Sequence, residues 1–438
     1  MEIILHDSAD DVSETDWSLL DHDDDPFASR AFLGTAEKVG AGGTAMGWQA
    51  QHLALHEDGR LLGLLPLYLR SHSFGDFSRD WNWASAWQRA GLAYYPKLVS
   101  GIPYTPSPGP RLLVRRGIEP EAVAMALIEA ALQVARQLGA SSWQCLFVEE
   151  ADRARLTAAG LLMRRGVQFH WFNREYRDFD DFLAGFTAGK RKKLKRERRA
   201  VAESGLRLEA RHGDEIGAGL WQVIHRQYRD TFARYGNHPA FPVEFFIEAG
   251  TLLARRLVVF IAFMDEIPVA SAICYRDGQT LYGRHWGTSI DMPGLHFELC
   301  YYQGIEYCIR HGLKGFEPGA QGEHKLARGF EPVPTWSAFW IAHRACAALW
   351  PTSSRGKTPP CRTTRRKPRP TFPSSCPADP LTRHGSAQWF PEAMANIRSL
   401  RFIRASSTVS PTRLSGGNGT SQCCWNRSMA SPVSMRAR

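Results

Sequence analysis

The chain has 438 residues, enough for two or three domains, and 44% of them are apolar, enough to fill real cores. The formal charge of +10 invites a nucleic-acid partner, yet residues 345–438 carry 15 Lys and Arg against only Asp379 and Glu392, which leaves residues 1–344 near neutrality. No basic leader with a long apolar run opens the chain, and the longest apolar runs, 61–69 and 257–264, are too short to span a bilayer, so the expected location is the cytoplasm.

In the first 172 residues the pattern predicts alternating strands and helices. A short strand covers 2–5. A helix starts at Pro26, carries Phe27, Phe32 and Leu33, and stops at the glycines 40–43. Strands 51–55 and 61–69 flank an Asp58-Gly59 turn. Residues 74–104 are rich in aromatics without a clear period. Val123, Leu127, Ala130 and Ala135 keep helical spacing over 119–138, and Gly139 ends that helix. Strand 143–148, helix 151–159 and strand 167–172 follow.

Residues 173–344 repeat this plan. Helices 179–186 and 190–204 lead to strand 206–210 and helices 214–235 and 243–254. Three strands, 257–264, 269–275 and 280–286, form a meander whose turns are marked by Asp265-Glu266 and Asp277-Gly278. Helix 296–311 closes at Gly312, and strands 315–318 and 335–341 finish the body. The expected class is α/β (α+β): two tandem domains, 1–172 and 173–344, with mixed central sheets, the second carrying the active site.

From about Ala345 the patterning collapses into Ser, Thr, Pro and Arg. One reading is a disordered, basic nucleic-acid-binding arm. The preferred one is out-of-frame translation. With GC-rich codons, residues 349–357 read one base earlier permit an amphipathic helix start, and a stop codon fits across Ala378 and Asp379. Cysteine usage divides the same way: Cys145, Cys274, Cys300 and Cys308 lie in apolar or helical patterns without a C-x-x-C pair. Zinc and redox readings are weak, and no metal is expected.

The densest polar constellation runs from Phe316 to Phe330. Its glycines let backbone approach a ligand closely. Glu317 stands at a strand end, where a base for an attacking amine belongs. Lys325 and Arg328 share one side of a helical turn and suit a phosphate or carboxylate; Gln321 and His324 lie between. A solvated surface loop is the plain alternative. On the preceding strand, period two puts Tyr282, Arg284 and Trp286 on one face and His285 on the other. Glu298 and Tyr302 share a face of the next helix. Together these suit substrate binding and proton handling; singly, each fits a packed aromatic or a satisfied core group. The run from Lys190 to Arg199 is a solvated helix face or a contact for a phosphate-rich partner such as tRNA. Lys97, among Tyr94, Tyr95 and Tyr104, lines a cleft or sits in a packed loop.

The stretches 67–75, 94–100 and 168–171, and above all 296–330, resemble the FemAB-like family of bacterial N-acyltransferases, associated with peptidoglycan biosynthesis or recognition. The resemblance spans nearly all of residues 1–344. It implies tandem GNAT-type acyltransferase domains and relationship to the Fem aminoacyltransferases. Those enzymes carry an aromatic-acidic-x-Gly strand end, then a lysine and a Gly-Phe element; Phe316, Glu317, Gly319, Lys325, Gly329 and Phe330 fit that order. The pyrophosphate loop of acetyl-CoA enzymes has only a partial counterpart in Arg284 to Ser289, so the donor is acyl-CoA or aminoacyl-tRNA. The expected activity is transfer of an acyl or aminoacyl group to an amine of a cell-wall precursor. In it Glu317, His285 and Tyr302 handle nucleophile and proton, and Arg284, Glu298, Gln321, His324, Lys325, Arg328 and Lys97 bind substrate. The competing expectation is a non-catalytic recognition protein on the same fold.

Overall fold

The computed structural model describes residues 1–343, apart from Asp23, Ala320 and Gln321, together with residues 401–404. It is a mixed α/β protein with two mixed sheets. The smaller sheet has six strands in the order Arg401–Arg404, Glu2–His6, His52–Glu57, Arg60–Leu65, Leu113–Arg115 and Leu20–Asp21. The larger has eleven and runs through both halves of the body.

Each half contains one parallel strand pair joined by a helical crossover. In the first, Lys97–Ser100 lies parallel to Ser142–Val148, with helix Pro120–Gln137 between them in sequence. In the second, Thr280–Thr288 lies parallel to Gly315–Glu317, and the helical segment Leu295–His311 makes the crossover. This is the tandem arrangement expected from the sequence. Strand Leu162–Phe172 ties the halves together: its C-terminal residues pair with Gly315–Glu317 and most of its length with Glu331–Ile341. Glu331–Ile341 in turn pairs with Ser142–Val148. The boundary expected after Phe172 therefore falls at the end of a strand that both halves share.

Local chemistry explains where elements shift from their expected ends. The first long helix spans Arg30–Lys38 and starts four residues beyond Pro26, because the Ser29 hydroxyl accepts from the Phe32 amide at 3.2 Å and caps it there. The strand expected over 61–69 is two strands, Arg60–Leu65 and Tyr68–Arg70, in different sheets; Pro66, with no N–H for a ladder, lies between them. Helix Pro120–Gln137 opens on proline and buries Val123, Leu127 and Val134. It lies so close to Gly63 that a Cβ there would come within 2.5 Å of Val123. Within residues 74–104 the structure has helix Trp81–Arg89 and strand Lys97–Ser100.

Three apolar clusters hold the body. One is built mostly from the first half, with Ala338, Phe339 and Ile341 added, and one, around Phe260, Tyr302 and Phe316, mostly from the second. The third joins them: Phe27 packs at a tilt against Tyr275, and Phe32 packs edge-on against Phe245. Burying side chains of this size stabilises by roughly 1.5–3 kcal/mol each. Among the described residues no helix is long and apolar enough to cross a membrane. Arg401–Arg404 pairs in parallel with Glu2–His6, and the remaining positions of residues 345–438 lie outside the described residues.

Candidate active site

Two irregularities in the sheet build the site. Along Thr280–Thr288 the register passes from Ile273↔His285 to Cys274↔Gly283, so Arg284 is the extra residue of a β-bulge. On the other edge the ladder pairs Tyr282 with Glu317 and ends, since the following Pro318 has no N–H to donate.

The bulge overturns the alternation expected along this strand. Tyr282, Arg284 and His285 all turn toward the cluster shared by the two halves. The Arg284 guanidinium lies 4.8 Å from the Phe27 ring centre, and His285 packs 4.9 Å from Tyr228. Trp286 turns to the opposite face, 5.3 Å from His296. A bulge adds one residue and so shifts every later side chain to the other face.

Glu317 is 1% exposed and takes three hydrogen bonds. Arg284 donates from Nη1 and Nη2 at 3.0 and 2.9 Å, one to each carboxylate oxygen, and the Ser107 hydroxyl donates at 2.9 Å. Ser107 comes from the first half. Its backbone carbonyl accepts from the fully buried Arg111 at 2.7 Å, so the loop presenting it is held from behind. Lys325, also 1% exposed, donates to the carbonyls of Pro318 and Gly319 at 3.2 and 2.6 Å. Gly319 has a φ of 90°, a left-handed conformation that a side chain disfavours. Burial pulls the Lys325 amine down to about 8; Glu317 opposes that shift and Arg284 adds to it. From strand Leu162–Phe172, Gln168 and His170 face the same region. The Gln168 amide nitrogen donates to the Pro106 carbonyl at 2.7 Å, and its oxygen lies 3.1 Å from His170 Nε2.

A second network adjoins this one. The segment Leu295–His311 contains a π-turn at Glu298–Tyr302, an irregularity common at functional sites. The Tyr302 hydroxyl donates to Glu197 at 2.6 Å, and Arg328 donates to both at 3.0 and 3.1 Å. Burial and Glu197 push the Tyr302 hydroxyl up, so it is a donor at neutral pH. Glu298 is gripped by Arg198 through bonds of 2.9–3.2 Å, and Arg198 also reaches Glu306 at 2.8 Å. His324 is exposed, with its Nε2 2.9 Å from the Tyr301 hydroxyl.

The expected residues thus separate into groups. Glu317, Arg284 and Lys325 come together. Tyr302 and Arg328 form the neighbouring network with Glu197. Glu298 is held in ion pairs. His285 sits among Tyr228, Phe241 and Phe246, where burial holds its pKa near 3. Lys97 is fully buried, its ammonium 2.8 Å from Asp76 and 2.5 Å from Asp80, with Ser73 and Ser78 as further acceptors. Gln321 lies outside the described residues. Sequence reasoning missed Ser107, Gln168, His170, Glu197 and Arg198. The alternation of Gln168 and His170 was a usable signal, as was Glu197, the lone acid in the basic run. Ser107, between two prolines, gave none.

The donor loop tests the acyl-CoA option. A pyrophosphate needs free amides before the crossover helix. Here the Ser289 amide bonds the Val269 carbonyl at 2.9 Å, and the Ile290 amide bonds the Thr288 hydroxyl at 3.2 Å. Gly287 is spent on packing: a Cβ there would meet the Gln227–Tyr228 backbone at 2.3–2.4 Å. The Ser289 and Ile290 amides are therefore already engaged within the protein. On helix Ala188–Ala202, Leu194 and Val201 are buried, while Lys190, Lys192, Lys193, Lys195, Arg196 and Arg199 stay exposed. A cavity of about 340 Å³ beside it is lined by Lys195, Arg198, Phe179 and Glu298, and by none of Glu317, Arg284 or Lys325.

Solved structures resemble the chain at low identity. FemX is 13% identical with a TM-score of 0.48, covering 80% of this chain and 99% of that one. L-PGS from Bacillus licheniformis is 12% identical with a TM-score of 0.43, covering 68% and 86%. A tandem GNAT protein from the clavulanic acid biosynthesis pathway is 13% identical with a TM-score of 0.40, covering 78% and 98%. At these values the likenesses do not bear on chemistry. A search of curated proteins found no match. The family comparison does decide: the family model described as peptidoglycan biosynthesis/recognition matches residues 8–350, most of the chain, and the protein belongs to the FemAB-like family.

Proposed function

We propose that this protein is a cytoplasmic N-acyltransferase that moves an acyl or aminoacyl group onto an amine of a peptidoglycan precursor. Residues 1–172 and 173–344 act as its two GNAT-like domains, the second carrying most of the site. The observation that carries this reading is the buried cluster of Ser107, Arg284, Glu317 and Lys325 at the end of a parallel ladder, in a chain of the FemAB-like family. Arg284 and Ser107 fix the Glu317 carboxylate, which anchors the acceptor amine as its ammonium. Lys325 supports the developing oxyanion of the acyl carbonyl, and Arg328 and His324 meet anionic groups farther out. Tyr302 holds Arg328 in place.

An aminoacyl ester on tRNA suits this chain better than acyl-CoA, because the amides of Ser289 and Ile290 are already bonded and helix Ala188–Ala202 exposes six cations. The test is transfer of a radiolabelled amino acid from a pool of aminoacyl-tRNAs to a lysine-containing UDP-linked muropeptide. Transfer that falls at least 100-fold in Glu317→Gln supports the reading. Binding of the muropeptide without transfer from tRNA or CoA donors favours a recognition protein instead.

A further inference from the structure

We infer that His170 is the proton acceptor of the transfer, taking a proton from the attacking amine at Nδ1. The inference rests on the transferase reading above and adds a catalytic residue to it.

A hydrogen-bond chain from Pro106 through Gln168 to His170 has a fixed direction. The Pro106 carbonyl can only accept. The Gln168 side chain meets it at 2.7 Å and must present its NH2 group there. The Gln168 oxygen therefore faces the other way, 3.1 Å from His170 Nε2. That oxygen can only accept, so Nε2 carries the hydrogen. A neutral imidazole has one N–H, which leaves the lone pair on Nδ1. Burial lowers the His170 pKa; Glu317 opposes this, and Arg284 and Lys325 reinforce it, so the ring is neutral at neutral pH.

Position agrees with the role. Strand Leu162–Phe172 pairs Phe172 with Gly315 and Trp171 with Phe316. His170 and Glu317 are the next residues along these two strands, and the Glu317 carboxylate acts on the His170 ring. On the other edge His170 pairs with Glu331, whose carboxylate is engaged by Arg174. Arg284 and Ser107 take three of the four acceptor positions of the Glu317 carboxylate, and the fourth remains to hold the ammonium.

The step balances. An ammonium held by Glu317 gives one proton to Nδ1. The freed amine attacks the carbonyl carbon of the acyl ester. The C–N bond forms, and the C–O bond to the tRNA ribose breaks. The imidazolium returns its proton to the departing oxygen, and the second proton lost by the nitrogen goes to solvent.

The experiment combines kinetics with ¹⁵N NMR of imidazole, using the full chain, an aminoacyl-tRNA pool and a lysine-containing UDP-linked muropeptide. In the free protein, the signals that disappear in His170→Gln should be those of an Nε2–H tautomer with unprotonated Nδ1. His170→Gln should lower kcat about 100-fold or more, leave KM within about twofold, and abolish the acid limb of the kcat pH profile. Gln168→Leu should lower kcat less and leave KM unchanged. An Nδ1–H tautomer in the wild type overturns the inference, whether or not the variants fold. Wild-type turnover in a folded His170→Gln overturns it while leaving the transferase reading intact. No transfer by the wild-type protein overturns both.

Discussion

The Arg284 guanidinium and the Glu317 carboxylate meet as a fork on a fork, with parallel bonds of 3.0 and 2.9 Å, and their side chains are only 4% and 1% exposed. The pair joins two adjacent strands at the point where their ladder ends. Two charges taken this far from water hold each other, and either one alone is costly. Arg284→Met or Glu317→Ala should therefore destabilise by about 3–5 kcal/mol. The Arg284→Met/Glu317→Ala double variant should lose clearly less than the sum of the two single losses. Urea unfolding of the two single variants and the double variant measures the coupling, and additive losses would contradict a direct pair.

Lys97 separates a structural role from a substrate role. Its ammonium is closed off between Asp76 and Asp80. Lys97→Met leaves two buried carboxylates without their cation, and the protein should lose about 3–5 kcal/mol of stability. A variant with wild-type stability and a raised KM would instead make Lys97 a substrate ligand.

Lys325 gives a prediction with a definite sign. Its folded pKa of about 8 lies below the ordinary lysine value. Between pH 8 and about 10 the unfolded chain binds more protons at this site than the folded one, so its contribution to stability rises with pH. Compared with Lys325→Met, the wild-type protein should gain stability across that window. Denaturant unfolding at pH 7, 8, 9 and 10 reads the difference, and a flat difference contradicts a buried, depressed amine.

Gly287 tests the packing account of the donor loop. A Cβ would overlap the Gln227–Tyr228 backbone. Gly287→Ala should cost about 1–3 kcal/mol, read as a fall in melting temperature. An unchanged melting temperature would mean that the glycine is kept for something other than helix packing.

These tests follow the line between what the sequence made legible and what it did not. The strand Leu257–Met264 and the helix Pro120–Gln137 were readable because eight apolar residues in a row, or apolar residues at helical spacing, leave little choice. Glu317 and Lys325 were readable because few loops combine so many glycines with ionisable groups. The facing of Arg284, His285 and Trp286 was not. A single bulged residue reverses alternation, and nothing in the composition of that strand announces one. Nor was the partnership of Ser107 with Glu317, since contacts across 210 positions depend on how the halves pack. His170 lay between the two cases: the alternation was visible, but its tautomer follows from Gln168 and Pro106 together.

The central claim is that the cluster around Glu317 performs transfer to an amine. The direct measurement is the amount of labelled amino acid carried from aminoacyl-tRNA to the UDP-linked muropeptide by the wild-type protein and by Glu317→Gln, both verified as folded. The account predicts product with the first and at least 100-fold less with the second. Equal transfer by both would contradict the assignment of Glu317, and muropeptide binding with no transfer by either would contradict the activity.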